Sequence, residues 1–202
     1  MKKTAIQFLF LLVLAASFSG CKKDYGNKLG PLQDSVAAIP VTVTNQVYFE
    51  RFPVVTTTVT GTGATSSGSF TIDFSIPADK GKIKEITKVA TGNSGVEYLQ
   101  DARYPNYLTT AIAGTGTNTI SFTSDLNAVR SYVTRLNAAF ATLPASATKT
   151  AAFAFTGTST GGAGTLTPNT NPQTPNQLRF FFLITLEDGT QLITTEVDVR
   201  LL

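Results

Sequence analysis

The sequence "RFFFLITLEDGTQLITTEVDVRLL", residues 179–202, carries the strongest fold signal in this 202-residue chain. The dipeptide Asp188-Gly189 predicts a hairpin turn, because such turns need positive φ angles that Gly adopts without strain. Phe180 to Leu186 is apolar on both faces, which predicts a central strand covered on two sides. The next strand alternates, with Ile193, Thr195, Val197, Val199 and Leu201 on one face and Thr194, Glu196, Asp198 and Arg200 on the other.

Upstream segments also have strand patterns. "SFTIDFSIP", residues 69–77, alternates apolar and polar side chains, and period two predicts a half-buried strand. Further segments rich in β-branched and aromatic residues predict strands as well. They are "QVYFERF" (46–52), "FPVVTTTVT" (52–60), "KIKEITKVA" (82–90), "NTISFTS" (118–124) and "TAAFAFTG" (150–157).

One segment predicts a helix. In "SDLNAVRSYVTRLNAAFATLP", residues 124–144, apolar residues recur at alternating gaps of three and four and form one stripe. Ser124 or Asp125 can cap its start, and Pro144 ends it. Together these patterns predict an all-β fold, an antiparallel immunoglobulin-like β-sandwich with one crossover α-helix at about 124–143. This helix is also a candidate cover for the apolar strand 180–186.

The first residues, "MKKTAIQFLFLLVLAASFSGC", have the layout of a secretory signal peptide. Lys2 and Lys3 form a positive start, an apolar run follows, and small residues lead to Cys21. The apolar run is shorter than the ~20 residues that a transmembrane helix requires. We therefore expect a signal peptide over residues 1–20.

"FSGC", residues 18–21, resembles the lipobox of bacterial lipoproteins. The resemblance implies that the Cys21 thiol is alkylated with diacylglycerol, that the leader is cut before it, and that the new amine is acylated, with chains such as palmitate. The alternative is an unmodified cysteine beside a leader. We expect the lipidated cysteine and a flexible tether to occupy residues 21–40, and a single β-sandwich domain to occupy 41–202.

The residues after Cys21 bear on localisation. Lys22 stands in place of the Asp that retains many lipoproteins in the inner membrane, and "CKKDYG" resembles the start of surface lipoproteins in glycan-degrading Gram-negative bacteria. The resemblance implies an outer-membrane anchor with the domain exposed at the cell surface. The alternative is a domain that faces the periplasm.

Composition excludes several function classes. Lys and Arg number 16 and Asp and Glu 13, and loss of Lys2 and Lys3 with the leader leaves 14 against 13, so charge gives no argument for nucleic acid. The chain has no histidine and, once Cys21 is lipidated, no free cysteine, which excludes Ser-His-Asp and Cys-His catalysis and the usual zinc and haem ligand sets. We expect no cofactor and no metal.

"VEYLQDARYPNYL", residues 96–108, is the candidate ligand site. Aromatic faces can stack on sugar rings while acids and guanidinium groups bind sugar hydroxyls, which points to Tyr98, Tyr104, Tyr107, Arg103 and Asp101. The alternative is that these tyrosines cover an edge of the sandwich. A second candidate is the long uncharged segment at 156–177, because loops of that length in compact domains are often functional.

The domain loosely resembles the immunoglobulin-like lipoproteins found beside outer-membrane glycan-uptake systems. The resemblance implies a non-catalytic binding module for a polysaccharide or an envelope protein. The alternative is a structural or assembly lipoprotein of the envelope without a small ligand. A glycoside hydrolase is the third hypothesis, since Glu97 with Asp101, or Glu187 with Asp188, would supply the two carboxylates that it needs. We expect the protein not to be an enzyme.

Overall fold

The computed structural model describes residues 38–92, 94–142 and 166–202, which belong to one compact unit over residues 37–202. The predicted signal peptide, Cys21, most of the tether, the strand candidate at 150–157 and residues 156–165 lie outside the described residues. The strands are β1 (Thr42–Val43), β2 (Tyr48–Phe49), β3 (Pro53–Thr57), β4 (Ser69–Ser75), β5 (Ile83–Thr91), β6 (Ile112–Ala113), β7 (Thr119–Asp125), β8 (Gln177–Leu186), β9 (Gln191–Ile193) and β10 (Val197–Leu201). The helices are α1 (Gly95–Gln100) and α2 (Leu126–Thr142), with short 3₁₀ turns at Gly63–Thr65 and Ala78–Lys80.

The described strands form two sheets, so the prediction of a mostly β fold is confirmed. The smaller sheet has the order β1-β4-β7. The larger has the order β2-β3-β10-β8-β5-β6, with β9 paired to β8. Aromatic side chains join the two sheets, because the ring of Phe74 on β4 lies 4.7 Å from that of Phe182 on β8, and Phe70 lies 5.3 Å from Phe180.

The alternation in β4 matches the prediction for residues 69–77. Phe70, Ile72 and Phe74 are buried between the sheets, while Thr71 and Asp73 point away from the core and are only half-buried. Burying one face of each sheet supplies most of the free energy that holds such layers together.

The predicted hairpin at Asp188-Gly189 is confirmed. Gly189 has a φ of 88°, and β9 pairs antiparallel with β8. The sequence predicted that Ile193 and Val197 lie on the same face of the last strand, and this prediction is wrong for Ile193. The register against β8 shifts by one residue between Ile193 and Val197. Ile193 is therefore exposed and Thr194 is buried, while Val197 keeps the predicted inward position.

The larger sheet contains one parallel pair of strands, so the prediction of a purely antiparallel sandwich is wrong. Strand β10 lies between β8 and β3, and its pairing with β3 is parallel, with Val199 opposite Val55. A parallel pair requires a long crossover connection, and here the chain between β3 and β10 supplies it. The two sheets therefore form a mixed β architecture.

The predicted helix is confirmed as α2, over Leu126–Thr142. Asp125 is its cap, because one carboxylate oxygen accepts hydrogen bonds from the backbone N–H groups of Asn127 (2.7 Å) and Ala128 (2.9 Å). The apolar stripe is buried, and Tyr132 and Phe140 on it face the aromatic residues of the 98–107 segment.

A second helix, α1, lies at the start of the candidate ligand segment 96–108, where no helix was predicted. It buries Tyr98 and Leu99 and lies over the outer side of β8. Gly95 at its start is in close contact with Phe181, since a Cβ atom there would lie 2.0 Å from the Phe181 ring. The short helix α1 thus supplies the cover for β8 that the sequence had assigned to the longer helix.

Candidate functional site

The three tyrosines of the predicted site are buried. Tyr98, Tyr104 and Tyr107 are 3%, 6% and 6% exposed. The Tyr98 and Tyr104 rings lie 4.8 Å apart and both contact Phe140 of α2, while Tyr107 packs against Phe180 at 5.6 Å. A sugar needs an open ring face, so the expectation that these rings form a stacking surface is wrong. Aromatic residues in this segment were needed for packing between α1, α2 and the sheets.

The tyrosine hydroxyls are used within the protein. Tyr104 donates to Glu97 over 3.1 Å, and the Tyr107 hydroxyl lies 2.6 Å from that of Ser124 on β7. Burial raises the pKa of Tyr107 well above its usual value, against the smaller effect of its hydrogen bond to Ser124. These contacts fix the loop rather than present polar groups to a ligand.

Arg103 is exposed and Asp101 is partly exposed. Arg103 donates to both carboxylate oxygens of Asp101, with the shortest contact at 2.5 Å. These hydrogen bonds lower the pKa of Asp101 to about 2. The Asp101 carboxylate therefore stays ionised and already bound to Arg103, which is the opposite of the raised pKa that a general acid needs.

An open polar groove lies where the chain passes from β3 to β4. The groove has a volume of about 660 Å³ and is lined mostly by hydroxyl and amide side chains and one carboxylate. Its lining comprises Thr56, Thr57, Thr58, Thr60, Ser67, Gly68, Ser69, Asp125 and Asn127. A second section of about 350 Å³ continues past Thr56 and Ser69 to Asn45, Val47, Val55, Phe70, Thr71 and Thr123. We call the two sections together the hydroxyl groove.

Local geometry positions the groove walls. Thr57 donates to the backbone oxygen of Ser69 over 2.8 Å and so joins the end of β3 to the start of β4. Thr60 and Ser67 pair through their backbones and through their hydroxyls at 2.8 Å. Gly68 allows this close approach, because a Cβ atom there would lie 2.7 Å from the Thr58 backbone oxygen.

Several polar groups in the hydroxyl groove are open to a ligand. Thr58 and Ser69 are exposed, and neither hydroxyl has a hydrogen-bond partner among the described residues. Asp125 also lines the groove, and it uses one carboxylate oxygen to cap α2. The groove thus offers hydrogen-bond donors and acceptors without a cluster of charge.

A buried charged cluster lies on the outer face of the larger sheet. Arg179 forms an ion pair with Glu196 at 3.1 Å, and Asp198, 5% exposed, lies beside them. Burial and the Glu196 carboxylate raise the pKa of Asp198 to about 7, against the opposing effect of Arg179. These acids do not face the hydroxyl groove.

Strand β2 and its flanks expose apolar side chains. Val47, Tyr48 and Phe49 are all exposed at the edge of the larger sheet. Arg200 lies over the Tyr48 ring at 4.7 Å and forms an ion pair with Glu50, and Arg51 lies over the Phe52 ring at 5.3 Å. We call Val47, Tyr48 and Phe49 the apolar edge.

The described ranges 38–92, 94–142 and 166–202 contain neither a metal-binding cluster nor a membrane-spanning helix. No group of three or more acidic, histidine or cysteine side chains there is arranged to hold a metal ion. No described helix has the length and apolar character needed to cross a membrane. Comparisons with protein-family models, curated proteins and solved structures found no match.

Sequence reasoning missed both the hydroxyl groove and the apolar edge. The segment "FPVVTTTVT" (52–60) predicted a strand along its whole length, whereas β3 ends at Thr57 and leaves Thr58 and Thr60 in the groove wall. In "VYFERF" (47–52), apolar and polar residues do not alternate as they do in a half-buried strand. This missing alternation was the available sign that apolar residues here are exposed. Contacts between residues far apart in sequence decided both features.

Proposed function

We propose that this protein is a lipid-anchored lipoprotein of the cell envelope whose domain acts as a non-catalytic binding module for a glycan. The observation that carries the proposal is the hydroxyl groove, which is open and polar and has two adjoining sections that share Thr56 and Ser69. Glycans are rich in hydroxyl groups, and a row of hydroxyl, amide and carboxylate side chains can pair with them in both directions. The immunoglobulin-like class remains part of this proposal.

The lack of suitable acids near the groove supports a binding role over hydrolysis. Asp125 is the one carboxylate among the residues that line it, and it is committed in part to the start of α2. Glycoside hydrolysis needs two carboxylates across the scissile bond. Neither Glu97 nor Glu187 lines the groove, so the acid pairs considered from the sequence lie elsewhere.

The test is retention on immobilised polysaccharides by a variant that combines Thr58→Val with Ser69→Ala. Each substitution removes one open hydroxyl and keeps the side-chain volume nearly the same. Two lost hydrogen bonds at about 1 kcal/mol each predict binding about 30-fold weaker. Turnover of the same polysaccharides should be absent for both proteins.

The matched control combines Thr42→Val with Ser75→Ala. These two residues are direct partners across β1 and β4, on the same sheet but outside the groove. The control should bind as the unchanged protein does. Equal retention of both double variants would reject the hydroxyl groove as the glycan-binding site. If the unchanged protein is retained on no polysaccharide, the structural envelope role is favoured instead.

The anchor is tested separately by protease treatment of intact cells, with Cys21→Ser as the control. A lipid-anchored, outward-facing domain is removed from whole cells, whereas a periplasm-facing domain is cut only after the outer membrane is opened. Two acyl chains bind stably to a bilayer, so the unchanged protein should stay with the membrane fraction and the Cys21→Ser variant should not.

A further inference from the structure

We propose that the apolar edge, Val47 to Phe49, docks on an anionic lipid surface and orients the domain on the membrane. The proposal rests on the lipid anchor at Cys21 put forward above, and it adds a second membrane contact made by the folded domain. Because Val47 also lines the second section of the hydroxyl groove, docking places that section next to the bilayer and leaves the first section, around Thr58 and Ser67, farther along the domain surface.

The apolar edge is the one place in the described chain where large apolar side chains are exposed at consecutive positions. Val47, Tyr48 and Phe49 are 55%, 45% and 71% exposed. The other exposed large apolar residues, Val96, Ile193 and Leu202, lie singly in other parts of the described chain. Single exposed residues are ordinary on protein surfaces, whereas a group of adjacent ones indicates a contact.

The size of the apolar edge favours a lipid surface over a protein partner. Its three side chains expose on the order of 300 Å², whereas a stable protein interface buries about 800 Å² per partner. Strand β2 has only two residues, Tyr48–Phe49, so it offers little backbone for pairing with an added strand. An interfacial contact that assists an existing anchor needs far less area.

Charge around the apolar edge is complementary to phosphate headgroups. Arg51 is exposed and stacks on Phe52, and it has no acidic partner among the described residues. The nearest acid, Glu50, is paired with Arg200. Tyrosine rings and arginines beside apolar side chains are the combination found where proteins meet the membrane interface.

The position of the apolar edge in the chain keeps it near the bilayer. Seventeen residues lead from Cys21 to Ala38, the first described residue, and they span at most about 60 Å. Val47 follows nine residues later. A lipid on Cys21 therefore holds the apolar edge at high local concentration next to the membrane, so a weak contact suffices.

The chain has no tryptophan, which gives a direct test. The Phe49→Trp variant of the full protein, purified from cells and reconstituted into vesicles of phosphatidylglycerol and phosphatidylethanolamine, carries a single fluorescent reporter at the edge. Val96→Trp is the matched control on α1. We expect the Phe49→Trp emission to move to shorter wavelength and to be quenched about twofold more by brominated acyl chains than the control.

Each other outcome overturns the proposal. Equal quenching of both reporters would show that the edge stays in water. A shift to shorter wavelength without bromine quenching would show that protein, such as a second copy, covers Phe49. In a second measurement, adding Arg51→Gln should reduce quenching in anionic vesicles and leave it unchanged in purely zwitterionic ones; no change in either would remove the role of charge.

The experiment also separates failure of docking from failure of the anchor. Mass measurement of the Cys21 peptide and flotation of Cys21→Ser with the vesicles report on the anchor alone. Lipidated protein without quenching at residue 49 overturns docking and keeps the anchor. Unlipidated protein with quenching at residue 49 overturns the anchor and keeps docking.

Discussion

The Tyr107 hydroxyl lies 2.6 Å from the Ser124 hydroxyl, and this contact ties the loop after α1 to strand β7. The Tyr107 ring is buried between Tyr132 of α2 and Phe180 of β8. Tyr107 therefore joins three parts of the core. Its role is structural, although its segment was the candidate binding site from sequence.

Tyr107→Phe should lower the free energy of unfolding by about 1 kcal/mol, because it leaves the Ser124 hydroxyl without its partner. Urea denaturation measures this. Tyr132→Phe is the control, since the buried Tyr132 hydroxyl has no hydrogen-bond partner in the part of the chain that the structure describes, and its removal should be neutral or stabilising. Equal destabilisation by both substitutions would contradict a stabilising hydrogen bond between Tyr107 and Ser124.

The buried acid Asp198 predicts a stability that falls with rising pH. Its pKa is about 7 in the folded protein and about 4 in the unfolded chain, so unfolding releases a proton between these values. Its contribution is present at pH 4 and lost as pH rises through 7. Asp198→Asn should match the unchanged protein at pH 4 and exceed its stability by on the order of 2 kcal/mol at pH 8.

Asp188 is a control, because its pKa is lowered in the folded protein whereas that of Asp198 is raised. The backbone N–H of Thr190 donates to Asp188 and lowers the pKa of that carboxyl. Its contribution is present at neutral pH and lost on acidification. Thermal unfolding of the unchanged protein, Asp188→Asn and Asp198→Asn from pH 2 to pH 8 should show the contribution of Asp188 lost below about pH 4 and that of Asp198 lost between about pH 4 and pH 7. A curve for Asp198→Asn parallel to that of the unchanged protein would count against the buried acid.

Gly68→Ala should narrow the hydroxyl groove and destabilise the domain by about 1–3 kcal/mol. The new Cβ atom would lie 2.7 Å from the Thr58 backbone oxygen, and that backbone must move. Gly63→Ala in the same connection has open space and should cost only about 1 kcal/mol for its left-handed backbone. The two midpoints in urea check this, and polysaccharide retention should fall only for Gly68→Ala.

Asp125 has two roles that substitutions can separate. Asp125→Ala removes the cap of α2 and should cost about 1 kcal/mol. Asp125→Asn keeps an oxygen for the cap and removes the charge at the groove, so stability should be nearly unchanged while glycan retention changes. Circular dichroism during denaturation and retention assays report the two effects. Loss of helix stability in Asp125→Asn would show that charge dominates the cap.

The sequence predicted elements that depend on neighbours along the chain. The turn at Asp188-Gly189, the alternation in β4 and the extent of α2 follow from local backbone preference and apolar spacing. The shift after Ile193 and the parallel pairing of β3 with β10 depend on contacts across the sheet, which periodicity does not encode.

The candidate site was harder to predict than the fold. Tyrosine combines an apolar ring with a polar hydroxyl, so Tyr98 and Tyr48 look alike in sequence although the first is buried and the second exposed. Only the packing of α1 and α2 distinguishes them. The hydroxyl groove arises from the junction of β3, β4 and α2, three elements whose proximity no local pattern indicates.

The parallel pairing of β3 with β10 has a consequence for how the chain folds. Val54 lies opposite Asp198, so the middle of the larger sheet closes over a separation of 198 − 54 = 144 positions. Closing so long a loop is slow. Strand β10 lies between β3 and β8, so these two strands are not joined into one sheet before β10 is in place. A chain emerging from a ribosome cannot complete the larger sheet until β10 has emerged.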